Sequence, residues 1–243
     1  MKAFLALSLL ILGAIPNTAH AQQLMNFITR TTIPIVIQCP GCNARNQEKK
    51  SPNSRPLAVR PKPAALASAA QLSFVPSPAL RQRNYAAIVD KMRPRDAEAA
   101  DQMAEMFAST DMIDQVAREI APAGLQTNSV ADAFTFWWAT TWSVSREQPE
   151  SGSRAALQSV RAQVVNIMLA DQGIARATAA QKQEFAEDLF VKSRLLNTAV
   201  KEAQGNPDDL ASLARTARKT ALAAGLDLDT MELTEAGFVS GKR

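Results

Sequence analysis

The residues whose type and spacing most directly suggest chemistry are the chain's two cysteines, Cys39 and Cys42. A C-x-x-C pair serves as a redox couple, as half of a metal site, or as a disulfide that closes a turn. Pro40 and Gly41 favour a type II turn, which brings its first and fourth residues within disulfide reach. A loop-like sequence, NARNQEKKSPN, follows instead of a helix that would activate a thiolate. We therefore predict a Cys39–Cys42 disulfide that staples a turn.

Imidazole chemistry is the next class to consider, because histidine is the usual proton-transfer group near neutral pH. The one histidine, His20, lies within the first 21 residues, which have the layout of a signal peptide. Its removal would exclude Ser-His-Asp and Cys-His catalysis and zinc sites with imidazole ligands. The chain also lacks a glycine-rich phosphate loop. We predict no catalytic residue, no metal and no cofactor, and we expect a protein that is not an enzyme.

The predicted signal peptide consists of Lys2, an apolar run from residue 3 to residue 15, and an A-x-A cleavage site. Cleavage is expected between Ala21 and Gln22. The apolar run is too short to span a membrane, and no later segment forms a long apolar run. The mature chain is therefore expected to be periplasmic or secreted, without a transmembrane segment.

Carboxylates on one helix face are a second candidate for catalysis. Glu184, Glu187 and Asp188 share a face by their i, i+3 and i+4 spacing. A hydrolase based on paired carboxylates needs only two acids that face a cleft. Acids on an amphipathic helix ordinarily form its solvated face, so we predict that role here and keep a carboxylate- or cysteine-based enzyme as the alternative function.

All three tryptophans fall in one segment, VADAFTFWWATTWSV, at residues 130–144. Phe134, Trp138 and Trp142 repeat at i, i+4 and i+8 on one helical stripe, and Trp137 lies on the neighbouring stripe. A helix that is apolar around most of its girth belongs at the centre of a bundle. We predict a core helix; an exposed aromatic strip that binds glycan or lipid is the alternative.

Two charged residues are predicted to point inward as well. Asp132 lies on the aromatic helix, and Arg161 lies among apolar residues of the next helix. Because an unpaired buried charge is costly, we predict a buried Asp132–Arg161 ion pair, with both side chains reaching water as the alternative.

Charge is distributed unevenly along the chain. From residue 22 to residue 95 there are twelve basic and two acidic residues, whereas the remainder has fourteen basic and 21 acidic residues. Residues 44–76 are rich in proline and poor in large apolar side chains, which predicts an extended basic linker. Upstream, residues 31–38 read as a short strand that must pair with the body or with another chain. An envelope protein or an anionic surface is the expected partner of this basic arm, and nucleic acid is not expected.

After Pro76 the sequence becomes helical. Capping residues and prolines predict seven helix starts, at Ser77, Pro94, Thr110, Asn128, Ser153, Thr178 and Asn206. Five glycines are expected just past helix ends: Gly124, Gly152, Gly173, Gly205 and Gly225. The predicted organisation is a signal peptide (1–21), a strand-like segment with the cysteine turn (22–43), the linker (44–76), one all-α bundle of six to seven helices (77–238), and a tail (239–243).

Four stretches taken together resemble a domain family of unknown function found in signal-bearing proteins of Gram-negative bacteria. They are ADAFTFWWATTW, SVRAQVVNIML, AAQKQEFAEDLF and GLDLDTMELTEAGFV. The resemblance covers about Leu72 to Val239, and it leaves out the cysteine turn and the linker. It implies no activity and no catalytic residue.

Overall fold

The computed structural model describes residues 69–148, 151–170 and 172–241. Within these ranges the chain forms eight α-helices and a hairpin of two antiparallel strands. The elements are α1 (Pro78–Met92), α2 (Ala97–Ser109), α3 (Met112–Ile120), α4 (Val130–Ser145), α5 (Arg154–Ala170), α6 (Gln172–Arg176), α7 (Ala179–Glu202), α8 (Pro207–Ala223), β1 (Met231–Thr234) and β2 (Gly237–Ser240). The predicted all-α class is confirmed, and the hairpin and the short α6 are additions to it.

Side-chain caps explain where the helices begin. Ser77 Oγ accepts a hydrogen bond from the N–H of Leu80, and Thr178 and Gln181 form the predicted capping box at the start of α7. Asn206 caps α8 ahead of a proline, as predicted. Three starts lie one or two residues after the predicted residue, because Asp96, Asp111 and Ser129 supply the capping oxygens.

The glycine pattern holds with one exception. Gly124 and Gly205 adopt φ of 73° and 90°, the left-handed conformation that ends a helix. Gly173, which was predicted to follow a helix end, lies inside α6. A glycine costs a helix only about 1 kcal/mol relative to alanine, so this short helix tolerates it.

Helix α4 is the centre of the bundle, and it packs against α5, α7 and α8. Every residue of α4 except Trp142 is buried. The buried residues of α8 include three alanines, Ala214, Ala217 and Ala221. The all-round apolarity of residues 130–144 therefore has the consequence expected for a central helix.

The packed body begins before Pro76, where the predicted linker ends. Leu72 and Phe74 are in the core, with 0% and 5% of their surface exposed. The N–H of Phe74 donates to Asn128 O at 3.0 Å, and the N–H of Val130 donates to Leu72 O at 2.9 Å. This segment therefore lies alongside the residues that lead into α4.

The C-terminal hairpin pairs Leu233 with Phe238 and Thr234 with Gly237 across a two-residue turn. The hairpin occupies the last residues of the predicted helical domain, which was expected to end at residue 238, and the first residues of the predicted tail. Phe238 is buried, and its ring stacks on Trp138 with centroids 4.4 Å apart. Burial of this ring against α4 helps to attach two strands that are too short to be stable alone.

None of the helices in the described ranges is both long and apolar enough to span a membrane. The predicted disulfide residues Cys39 and Cys42, the cleavage position at Ala21 and Gln22, and the predicted strand at 31–38 lie outside the described residues.

Candidate functional site

The structure places three of the four aromatic candidates in the core. Phe134, Trp137 and Trp138 are buried, and only 1% of the surface of Trp138 is exposed. The Phe134 ring lies 5.2 Å from Trp137 and 6.0 Å from Trp138, in tilted and edge-on arrangements. These rings face other helices, where a glycan or a lipid has no access to them.

Trp142 is half-buried and has a different role. Its indole Nε1 donates to Met231 O at 3.1 Å, which ties α4 to the first strand of the hairpin. The Arg146 guanidinium lies 5.4 Å from the centre of the Trp142 ring, a cation–π arrangement, and donates to Met231 O as well. Both groups are thus used in holding the hairpin.

The structure brings Asp132 and Arg161 together. Arg161 Nε lies 2.5 Å from Asp132 Oδ1, with 34% and 2% of the respective side chains exposed. The other oxygen, Asp132 Oδ2, accepts from the N–H of Gln126 at 2.9 Å. Both carboxylate oxygens are therefore engaged within the protein. They join the start of α4 to α5 and to the loop that precedes α4.

The acids of α7 differ from the solvated face that their spacing predicted. Glu184 is exposed, but Glu187 has only 2% of its side chain exposed. Asp188 is half-buried and pairs with the buried ammonium of Lys192 at 2.6 Å. The prediction of solvation is wrong for Glu187, because α1 packs over this part of α7.

Glu187 is the centre of a polar network that joins α1 to α7. Its Oε1 accepts from Arg81 Nε at 3.1 Å and from Gln183 Nε2 at 2.9 Å, and its Oε2 accepts from Asn84 Nδ2 at 2.6 Å. Gln183 also exchanges two 2.9 Å hydrogen bonds with the backbone of Ser77. Both oxygens of this buried carboxylate thus accept hydrogen bonds from side chains of the protein.

The same network extends to α3 through Asp111 and Tyr85. Arg81 Nη1 lies 2.6 Å from Asp111 Oδ2, and Tyr85 Oη donates to Asp111 Oδ1 at 2.9 Å. Tyr85 also stacks on Phe107 at 4.1 Å. Burial and the neighbouring carboxylate raise the pKa of Tyr85, so this hydroxyl stays protonated as a donor. Arg81 was counted with the basic N-terminal residues in the sequence. In the structure it belongs to α1 and pairs with acids of the helical domain.

Asp111 predicts how stability responds to acid. Burial opposes its charged form, but hydrogen bonds and charge from Arg81, together with Tyr85, outweigh burial and lower the pKa of Asp111 below its ordinary 3.8. A lowered pKa contributes stability that is present above the unfolded value and is lost as pH falls through the folded value.

We therefore expect Asp111→Asn to reduce the free energy of unfolding by about 1 kcal/mol at pH 7, with the difference closing as pH falls below 3.8 and through the lower pKa of the folded state. Urea unfolding of the parent and the variant between pH 7 and pH 2.5 measures this. Asp114→Asn is the control, because that carboxylate is exposed and only 3.4 Å from the same arginine. A difference from parent that is constant with pH for Asp111→Asn would contradict the assignment.

Among the described residues, no group of three or more histidine, cysteine or acidic side chains is arranged to hold a metal ion. The buried acids instead accept hydrogen bonds from arginine and amide donors. The side chains of Arg81, Asn84, Gln183 and Glu187 form the hydrogen-bonded network between α1 and α7. The spacing of the α7 acids on one helix face was the only sequence signal for this network. It did not predict which side chains donate to Glu187.

The sequence pattern of one protein family, described as a family of unknown function (DUF6683), matches residues 2–240. The chain belongs to this family. The DUF6683 match is broader than the expected resemblance over Leu72–Val239, since it takes in the cysteine turn and the linker as well as the helices. No curated protein and no solved structure matches this DUF6683 chain.

Proposed function

We propose that this chain is an exported, non-enzymatic protein whose helical body presents a basic N-terminal arm, residues 22–68, to a partner protein. The partner is a protein of the cell envelope, and the location is the periplasm or the exterior. The arm contains the predicted strand at 31–38, the cysteine turn and most of the predicted linker. The family match extends over this arm, which favours its acting together with the body.

The observation that carries the proposal is the occupied edge of the hairpin. Gln163 Nε2 donates to Phe238 O at 2.9 Å, and the N–H of Phe238 donates to Gln163 Oε1 at 2.9 Å. This side-chain amide takes the place of a neighbouring strand on β2. On β1, Met231 O already accepts from Trp142 and Arg146.

A strand at 31–38 would therefore have to displace these bonds to join the hairpin. An unpaired strand exposes backbone donors and acceptors that favour addition to the sheet of another chain. A disulfide at Cys39–Cys42 would end that strand with a closed turn. Pairing with the edge of a partner's sheet would thus satisfy the backbone donors and acceptors of this strand. The contacts that hold the hairpin would be kept.

Charge supports the same assignment. Arg81 is used within the body, and Arg93 pairs with Asp101 at 2.8 Å, so part of the basic sequence belongs to α1 and its flank. The arm before residue 69 keeps seven basic residues and one acid, Glu48. Such a segment accelerates association with an acidic surface and makes it dependent on salt.

The alternatives receive less support from the described body. A glycan- or lipid-binding function would need the aromatic residues on the surface, whereas Phe134, Trp137 and Trp138 are core residues. The carboxylate enzyme needs acids free to face a substrate, whereas Glu187 is buried and accepts three hydrogen bonds from neighbouring side chains. A cysteine-based enzyme would rest on residues outside the described ranges.

The test is capture of partners from envelope extract with three forms of the chain. The first is the mature chain, the second lacks residues 22–68, and the third has the seven basic residues of the arm changed to glutamine. The deletion ends at residue 68 because Leu72 and Phe74 belong to the core. The control changes two exposed cations of α8, Arg215 and Lys219, to glutamine.

We expect one protein to co-purify with the mature chain and with the α8 control, and to be lost from the deleted form. Its binding should weaken about tenfold in the neutralised form or when salt rises from low to physiological concentration. A partner that the deleted form retains would reject the arm as the contact. Retention of the mature chain by anionic vesicles, with no captured protein, would replace the protein partner by a lipid surface.

A further inference from the structure

A cleft of about 350 Å³ opens at a place that the proposed function does not use, between the end of α3, α4, the start of α5 and α7. Its floor is apolar, since Ile120, Leu125, Phe136 and Leu157 line it and are themselves buried. This volume lies within the range of clefts that hold small organic molecules. The floor would exclude water from an apolar group of a ligand that lay on it.

The polar side of the cleft is built around Asn197. Only 7% of the surface of this residue is exposed, and its Nδ2 donates to Glu119 Oε1 at 3.0 Å. Glu119 Oε2 also lies 3.7 Å from Arg194. The carboxylate of Glu119 is therefore neutralised within the protein. In the described part of the chain, no donor reaches Asn197 Oδ1, which remains as an acceptor in the lining.

Two cations complete the lining. Arg154 and Lys201 border the cleft from α5 and α7, and both are exposed. Over the residues described, neither makes an ion pair with a carboxylate. The guanidinium of Arg154 lies beside the turn at Gly124. With Glu119 neutralised by Arg194, the described lining carries an excess of positive charge next to an apolar floor.

We propose that this cleft binds a small organic carboxylate with an apolar body. The carboxylate lies toward Lys201 and Arg154, and the body lies over Phe136 and Leu157. Ligands of this chemistry include fatty acids and the C-terminal residue of a peptide. An amide N–H beside the carboxylate would also donate to Asn197 Oδ1, so a peptide-like ligand should bind more tightly than a fatty acid. The described lining includes no residue of the arm.

The experiment is a calorimetric titration of the full chain with octanoate, with N-acetyl-L-leucine, and with uncharged 1-octanol. The test variant is Arg154→Met with Lys201→Met, and the matched control is Arg215→Met with Lys219→Met on α8. Both variants lose two exposed cations, and only the first pair lines the cleft. Circular dichroism and the thermal midpoint check that both variants fold as the parent does.

We expect saturable 1:1 binding of one or both carboxylates that weakens about tenfold in the Arg154/Lys201 variant and less than about twofold in the α8 control. 1-Octanol should bind about tenfold more weakly than octanoate. N-acetyl-L-leucine should bind more tightly than octanoate, and the reverse order would overturn the contact with Asn197 Oδ1 and identify a fatty acid as the ligand. Methyl resonances of Ile120, Leu125 and Leu157 should shift on titration, while those of exposed Leu222 on α8 should not.

Three results would overturn the proposal. The first is no saturation by either carboxylate up to about 10 mM. The second is equal loss of affinity in the two double variants, which would indicate a general effect of net charge. The third is a titration that shifts methyl resonances elsewhere and leaves those of the cleft floor unchanged.

Discussion

Trp138→Ala is expected to lower the free energy of unfolding by about 3–5 kcal/mol, since large-to-small changes at buried aromatic residues remove contacts and leave a cavity. Trp138 is the largest fully buried side chain of the core, and it stacks on Phe238 and meets Phe134. Its loss therefore affects α4 and the hairpin together. Urea or thermal unfolding followed by far-ultraviolet circular dichroism gives the change.

The matched variant is Trp138→Phe, which keeps an aromatic ring against Phe238. Among the described residues the buried indole Nε1 of Trp138 has no hydrogen-bond partner, so phenylalanine also removes an unsatisfied donor. We expect this variant to cost about 1–2 kcal/mol. A change below about 1 kcal/mol for Trp138→Ala, with red-shifted native emission, would contradict burial and return the exposed-strip interpretation.

Glu187→Ala is expected to cost about 3–5 kcal/mol, an effect as large as that of the tryptophan. The variant leaves Arg81 and Asn84 without the carboxylate that accepts from them, and it removes one acceptor from Gln183. Removal of a buried partner leaves a desolvated charge less well compensated, and Arg81 then keeps only its contacts with the more exposed Asp111 and Asp114. Equilibrium unfolding in urea measures the loss.

Glu184→Ala is the control for that change. It lies three residues earlier on the same helix, has the same chemistry, and is exposed. A surface substitution of this kind should change the free energy of unfolding by less than about 0.5 kcal/mol. Equal losses at the two positions would mean that the network around Glu187 does not hold α1 on α7.

The comparison of these two glutamates shows how far the sequence could predict the site. Helical spacing places Glu184, Glu187 and Asp188 on one face, and that part of the prediction depends only on 3.6 residues per turn. Which of them meets water depends on where α1 crosses α7, and that is set by contacts between residues about a hundred positions apart, such as Asn84 and Glu187. A pattern within one helix contains no information about them.

The Asp132–Arg161 pair, in contrast, is a contact that the sequence could predict. Asp132 could be placed inward from the sequence because its helix is apolar around most of its girth, and Arg161 because it lies among apolar residues of the next helix, including Leu157 and Val164. Their approach to 2.5 Å depends on α4 and α5 packing side by side, as consecutive helices joined by a short connection do. Local pattern and chain proximity together were sufficient for this pair.

The sequence by itself determined the helical class, the helix starts at Ser77, Thr178 and Asn206, and the central place of α4. These depend on local capping hydrogen bonds and on apolarity around one helix, which act over a few residues. The tertiary structure decided the burial of Glu187, the inclusion of Leu72 in the core, and the C-terminal hairpin. Strands of four residues are too short to form from their own propensity. They form here because Phe238 stacks on Trp138 and Gln163 completes the backbone hydrogen bonds of β2, contacts that exist only once α4 and α5 have packed.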